Sequence, residues 1–274
     1  MIARFPRCTC RAAARAAFLF ALALLPAAAQ IPARQGTNGL DGILPKMHAF
    51  VQQFAEDFSY LRYEEDVVQA KLKNNNNEKV AYQQERVFDS IVRMRFEEGK
   101  LRVDEQRTLE KWRHVESRPL LNTYGFCTLA MIFHPYYESS FRFSHAGDDV
   151  LQGRVLARVQ FEHLAGTPTP VLYQMFGPDR PLEVRGTAWV DAATGEIYRI
   201  EATIAPAVSD MGVKMIRAAV EFQPILLQAE TTPRVLPVSA TIDLETPRQH
   251  WRNVHHFTDY RKYRVAMNMP GATQ

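Results

Sequence analysis

Few residues in this chain have the types and spacing that chemistry needs. His250, His255 and His256 lie close together near the C-terminal end. In a strand, neighbouring side chains point to opposite faces, so His255 and His256 cannot serve one metal ion from one face. They read as polar strand positions. Cys127 stands seven residues before His134, but its setting is the apolar run Phe126 to Phe133. A reactive thiolate needs a basic, partly open environment, so Cys127 reads as a buried, inert thiol. Asp148-Asp149 follows Ala146-Gly147 and reads as turn chemistry rather than a catalytic carboxylate pair. Nucleophile-elbow, zinc-protease, phosphate-loop and EF-hand patterns are not found. No catalytic residue, metal or cofactor is therefore expected. The large aromatic side chains Phe50, Phe54, Phe58, Phe88, Trp189, Phe222 and Trp251 are the better lead.

The elements that carry these residues are mostly strands. In Ile197 to Ile204, Tyr198, Ile200, Ala202 and Ile204 alternate with Arg199, Glu201 and Thr203. A period of two marks a half-buried strand. Val184, Gly186, Ala188 and Val190 do the same one strand earlier. Asp191 and Gly195 supply a local cap and a positive φ for the turn between them. One hairpin buries too little to stand alone. Further strands are expected at Lys214 to Phe222, Val235 to Leu244 and Trp251 to Val265.

Earlier in the chain, residues 60–70 read as a solvated strand. Residues 78–96 read as a strand that turns at Glu97-Glu98-Gly99-Lys100, with a helix as the alternative. A hairpin is expected from Tyr137 to Glu162, turning at Ala146 to Asp149, and residues 105–125 stay unplaced. Such a succession defines a mainly antiparallel α+β fold. Two helices complete it. Ile43, Leu44, Met47, Phe50, Val51, Phe54 and Phe58 recur at helical steps on one apolar stripe, with Asp41 as a cap and Pro45 in the first turn. Phe126 to Phe133 reads as a short buried helix stopped by Pro135.

The N-terminus reads as an export signal. Arg4, Arg7, Arg11 and Arg15 precede the apolar stretch Ala16 to Leu25, and Ala27-Ala28-Ala29 offers a cleavage site after Ala29. About ten apolar residues are too few for a membrane span, which needs roughly 20. The segment holds four of the 33 basic residues and none of the 30 acidic ones, so the remainder carries a formal charge of −1. Nothing in that balance points to nucleic acid or an anionic membrane surface, and no nucleic-acid partner is expected. Only Cys127 remains after cleavage, so no internal disulfide is expected. The organisation expected is a signal over 1–29, a loose segment over 30–40, one domain over 41–267 and a tail over 268–274.

Arg185 to Glu201 (RGTAWVDAATGEIYRIE), Pro237 to Ile242 (PVSATI) and Phe257 to Val265 (FTDYRKYRV) resemble LolA-like proteins, the periplasmic lipoprotein-carrier superfamily. Ile132 to Phe143 adds to the likeness. The resemblance implies a strongly curved sheet, an incomplete barrel, with helices on its concave side. It also implies a non-catalytic carrier for a lipid-like or acyl group in the periplasm, and the partners would be a hydrophobic small molecule, a lipid or an acylated protein. Transient contact with envelope membrane proteins would follow. The alternative is an envelope scaffold of the same fold with a filled core, and a periplasmic enzyme stands behind both. A cleft between helix and sheet would be bounded by Met47, Phe50, Val51 and Phe54. Leu172, Tyr173, Met175 and Phe176 from the Pro- and Gly-bearing connection 164–181 would close it.

Overall fold

The computed structural model describes residues 39–73, 76–97, 100–114, 123, 125–173, 180–204 and 212–262. The expected signal, residues 30–38, Met175, Phe176 and the tail lie outside these.

Alternation produces the expected sheet. The strands are β1 (Leu61–Lys73), β2 (Asn76–Glu97), β3 (Lys100–His114), β4 (Phe141–Leu151), β5 (Arg154–His163), β6 (Leu172–Tyr173), β7 (Arg180–Pro181), β8 (Val184–Val190), β9 (Ile197–Ile204), β10 (Met215–Ile225), β11 (Arg234–Glu245) and β12 (His250–Lys262). Ten of them form one sheet in the order β3-β2-β1-β12-β11-β10-β9-β8-β5-β4, with every pairing antiparallel. The sheet curls without closing, an incomplete barrel whose edges are β3 and β4. Strands β6 and β7 pair separately within the 164–181 connection.

The concave side is filled by α1 (Leu40–Phe58) and by a 3-10 helix over Phe126–Phe133. The stripe predicted for α1 is its buried face: Ile43, Met47, Val51, Phe54 and Phe58 are 0–3% exposed. Phe54 stacks on Phe58 at 5.0 Å between ring centres and meets Phe222 of β10 edge-on at 6.4 Å. Phe58 reaches Tyr63 of β1 at 5.5 Å and Tyr260 of β12 at 6.1 Å. Phe133 packs edge-on to Phe161 at 5.4 Å. The central hairpin turns as expected, with Asp191 Oδ1 accepting from the N–H groups of Ala193 and Thr194. Gly195 has φ 81°, and a Cβ there would lie 2.3–2.6 Å from the Lys46–Met47 backbone. The turn needs glycine twice, for its conformation and for the helix lying against it.

Five local expectations change. Helix α1 starts three residues earlier than its stripe suggests, with Gly39 as N-cap and no side-chain cap. Asp41 instead sits in the first turn, where its charge faces the positive helix end. Pro45 falls inside the helix rather than in its first turn and removes one backbone bond. The hairpin β4–β5 turns at Gln152 and Gly153, with φ 51° and 77°, and not at 146–149. Two adjacent positive φ values suit a two-residue hairpin loop. Ala146 and Gly147 instead form an irregularity inside β4, Asp148 and Asp149 pair with Ala157 and Leu156 of β5, and Pro135–Ser140 is a second 3-10 helix rather than strand. Finally, β1 is not a solvated strand. It lies inside the sheet and buries Leu61, Tyr63, Glu65, Val67 and Gln69.

Candidate functional site

The concave face divides into two halves of different chemistry. From β5 across to β11 its floor is made of Val159, Ala188, Ile200, Ala202, Ala218, Val220, Ala240 and Ile242, each 0–5% exposed. Paired strands bring these side chains into rows, Val159 opposite Ala188, Ala188 opposite Ile200, Ile200 opposite Val220 and Val220 opposite Ala240. Small and branched apolar residues in rows make a smooth surface without hydrogen-bonding direction. The 3-10 helix over Phe126–Phe133 lies against β9, β10 and β11, and the stripe of α1 packs on that helix and reaches β10 through Phe54 and Phe222.

Among the expected cleft residues, Met47, Val51 and Phe54 are brought together there and fully packed, while Phe50 is half-buried beside Phe54 at 6.3 Å. Leu172 is 50% exposed on β6, whose partner strand is β7. Tyr173 pairs with Arg180 through the backbone. Few polar contacts pin the helix to the sheet side. Lys46 Nζ donates to the Ala192 carbonyl at 2.9 Å, Asp57 pairs with Arg234, and Ser59 Oγ accepts from the Met94 N–H at 2.9 Å.

The other half carries charge. Glu65 on β1 is fully buried. Its Oε1 accepts from Arg107 Nη2 at 2.7 Å and lies 2.7 Å from His255 Nδ1, while Oε2 accepts from Ser90 Oγ at 3.2 Å. Arg107 on β3 also donates Nε to Glu105 Oε1 at 2.6 Å and Nη1 to the Thr123 carbonyl at 2.9 Å. Its guanidinium lies 5.5 Å from the centre of the Phe88 ring. Thr123 Oγ1 is 2.8 Å from His255 Nε2 and accepts from Asn253 Nδ2 at 2.8 Å. An ionised Glu65 can only accept, which puts the ring proton on Nδ1 and leaves Nε2 to accept from the Thr123 hydroxyl.

Burial governs titration here. It lowers the His255 pKa, against the pull of Glu65, and raises that of Glu105, which Arg107 opposes. With His255 neutral, two carboxylates face one guanidinium. Burial of the extra negative charge is costly, which is why Glu105 holds its proton more tightly. Beside the cluster, Cys127 Sγ lies 3.4 Å from the Tyr63 hydroxyl, and burial pushes both groups' pKa values well up. The thiol is inert as expected.

His255 and Glu65 belong to no motif and lie 190 positions apart. A signal for them did exist. Glu65 and Gln69 share strand parity with Leu61, Tyr63 and Val67, and His255 shares it with Trp251 and Phe257. Parity alone places these polar groups on the buried face. No group of three or more His, Cys, Asp and Glu among the described residues is placed to hold a metal ion.

An open, curled antiparallel sheet with a helix on its concave face is thus the class that geometry defines. Among solved structures it is similar to a DUF1329 family protein from Desulfovibrio piger, at 12% identity and TM-score 0.41, over 82% of this chain and 95% of that one. It is also similar to a LolA superfamily protein from Nitrosomonas europaea, at 8% identity and TM-score 0.37, over 79% and 93%. A third likeness is to a domain from Vibrio parahaemolyticus named for outer membrane lipoprotein sorting, at 11% identity and TM-score 0.39, over 82% and 95%. No protein-family model matches the chain, and no curated protein does.

Proposed function

We propose that the protein is an exported, non-catalytic carrier or binding protein for a lipid-like or acyl group in the bacterial periplasm. The observation that carries this reading is the apolar half of the concave face. Its floor is continuous and its cover is the 3-10 helix over Phe126–Phe133 with α1 beside it, α1 being held by packing and a few polar contacts. Apolar packing has no fixed direction, so an acyl chain can replace helix side chains against the same floor. The site consists of Met47, Phe50, Val51 and Phe54, with Leu172, Tyr173, Met175 and Phe176 at its margin. Residues 1–29 serve as the signal, cleaved after Ala29, and 41–267 act as one domain ahead of the tail 268–274. The partners are a hydrophobic small molecule, a lipid or an acylated protein, with transient contacts to envelope membrane proteins. Among the described residues no helix is long and apolar enough to cross a membrane.

One observation favours a second reading, an envelope scaffold with a filled core: Met47 and Val51 are already 0% exposed. A fluorescent fatty-acid probe separates the two. The carrier reading expects saturable uptake that falls in the Leu172→Ser, Met175→Ser, Phe176→Ser variant while circular dichroism is unchanged. A folded protein that takes up no probe supports the scaffold.

A further inference from the structure

We infer that the β3 edge is a self-complementary docking surface for a second copy of this chain. The sheet has two edges, and they differ. Strand β4 carries a register shift, a bulge, between His145 and Asp148. A bulge of this kind blunts an edge against pairing. Strand β3 pairs with β2 without irregularity from Lys100 to Leu109. It also exposes two apolar side chains, Val103 at 37% and Leu109 at 38%.

A two-fold axis normal to the sheet keeps the concave faces of both copies on one side. Centred on Gln106, it sets Val103 opposite Leu109 of the second copy, Asp104 opposite Thr108 and Glu105 opposite Arg107. Both exposed apolar residues gain an apolar partner, and opposite charges face each other without a like-charged pair. Such cross-strand pairs stabilise an antiparallel ladder. The neighbouring registers fail. An axis on Glu105 sets glutamate against glutamate, and one on Arg107 sets arginine against arginine and Asp104 against Glu110. The strand therefore specifies one isologous pairing, the commonest symmetry among homo-oligomers.

Cysteine crosslinking tests the register, with Cys8 and Cys10 replaced by serine. Under mild oxidation Gln106→Cys is expected to give a disulfide-linked dimer, and Thr108→Cys to give far less. Cys127 is buried and does not compete. Sedimentation of the unmodified protein over a concentration series is expected to show a monomer–dimer equilibrium. Val103→Lys with Leu109→Lys is expected to abolish it with unchanged circular dichroism. A protein that stays monomeric, a dimer that survives the double substitution, or equal crosslinking at 106 and 108 overturns the inference. So does a monomer that instead pairs its β3 edge with a different envelope protein.

Discussion

The two halves of the concave face are built on neighbouring strands of one sheet and do opposite things. Between β5 and β11, rows of alanine, valine and isoleucine meet the buried 3-10 helix over Phe126–Phe133 and, beside it, the stripe of α1. Between β3 and β12, Glu65, Arg107, His255, Thr123 and Asn253 meet through bonds of 2.7–2.9 Å that each require one partner in one place. Apolar contact tolerates exchange of one occupant for another. A buried ionic network does not, because removing one member strands the others. The polar half is therefore the frame, and the apolar half is the part in which the proposed carrier function would seat its ligand.

Breaking the frame is expected to cost most. Glu65→Ala leaves Arg107 and His255 without their shared acceptor and should destabilise by about 5 kcal/mol, read from urea unfolding. Glu65→Gln keeps one acceptor oxygen and should cost less. An equal loss in both would mean that shape rather than charge matters at this site. On the apolar side Phe54→Ala should cost about 4 kcal/mol, because the ring is 3% exposed and packs between Phe58 and Phe222. An added fatty acid should recover part of this loss, and should recover none of the loss in Glu65→Ala. That contrast is the sharpest expression of the difference between the halves.

Gly195→Ala should cost about 1–3 kcal/mol, since it forces an unfavourable φ and pushes on the Lys46–Met47 backbone. Its effect should fall on α1, visible as faster amide exchange in the helix with β1 and β12 still protected. Exchange accelerated equally in both halves would contradict their independence.

The smallest effect is that of pH. Burial lowers the folded-state pKa of His255, so the unfolded chain binds that proton more readily. Its contribution to stability is lost as pH falls from the ordinary histidine value, about 6.5, toward the folded one. Glu105 acts with the opposite sign. Its raised folded-state pKa makes the folded chain bind the proton first, so stability is gained as pH falls through that value toward the ordinary glutamate one. His255→Gln should leave a protein that gains stability on mild acidification. Glu105→Gln should leave one that only loses it. Superimposable pH profiles for both variants would show that neither group titrates differently on folding.

The apolar half was legible in the sequence, whereas of the polar half only the strands and their buried parity were. The hairpin of β8 and β9, the strands β10 to β12 and the α1 stripe announce themselves because apolar residues repeat at two or at three-to-four positions. The same rule did not reveal the contacts of the frame. Parity puts Glu65 and His255 on the buried face but does not say what each meets there, and Arg107 and His255 stand 42 and 190 positions from Glu65. The β4–β5 turn misled for a different reason. Gly147 and the two aspartates have turn chemistry, yet an irregularity within β4 absorbs Gly147, the aspartates pair with β5, and Gln152-Gly153 makes the reversal. The buried ring contacts of Phe54 depend on Phe222 and so on tertiary packing that periodicity alone does not carry.

Lipid mass spectrometry of the protein purified from a bacterial envelope, without detergent, tests the central claim most directly. An apolar half able to exchange its helix for an acyl chain predicts an extracted acyl lipid in stoichiometric amount, reduced in Phe54→Ala and retained in Gln106→Cys. Protein that yields no bound lipid from the envelope, and that takes up none when acyl lipids are supplied, would contradict it.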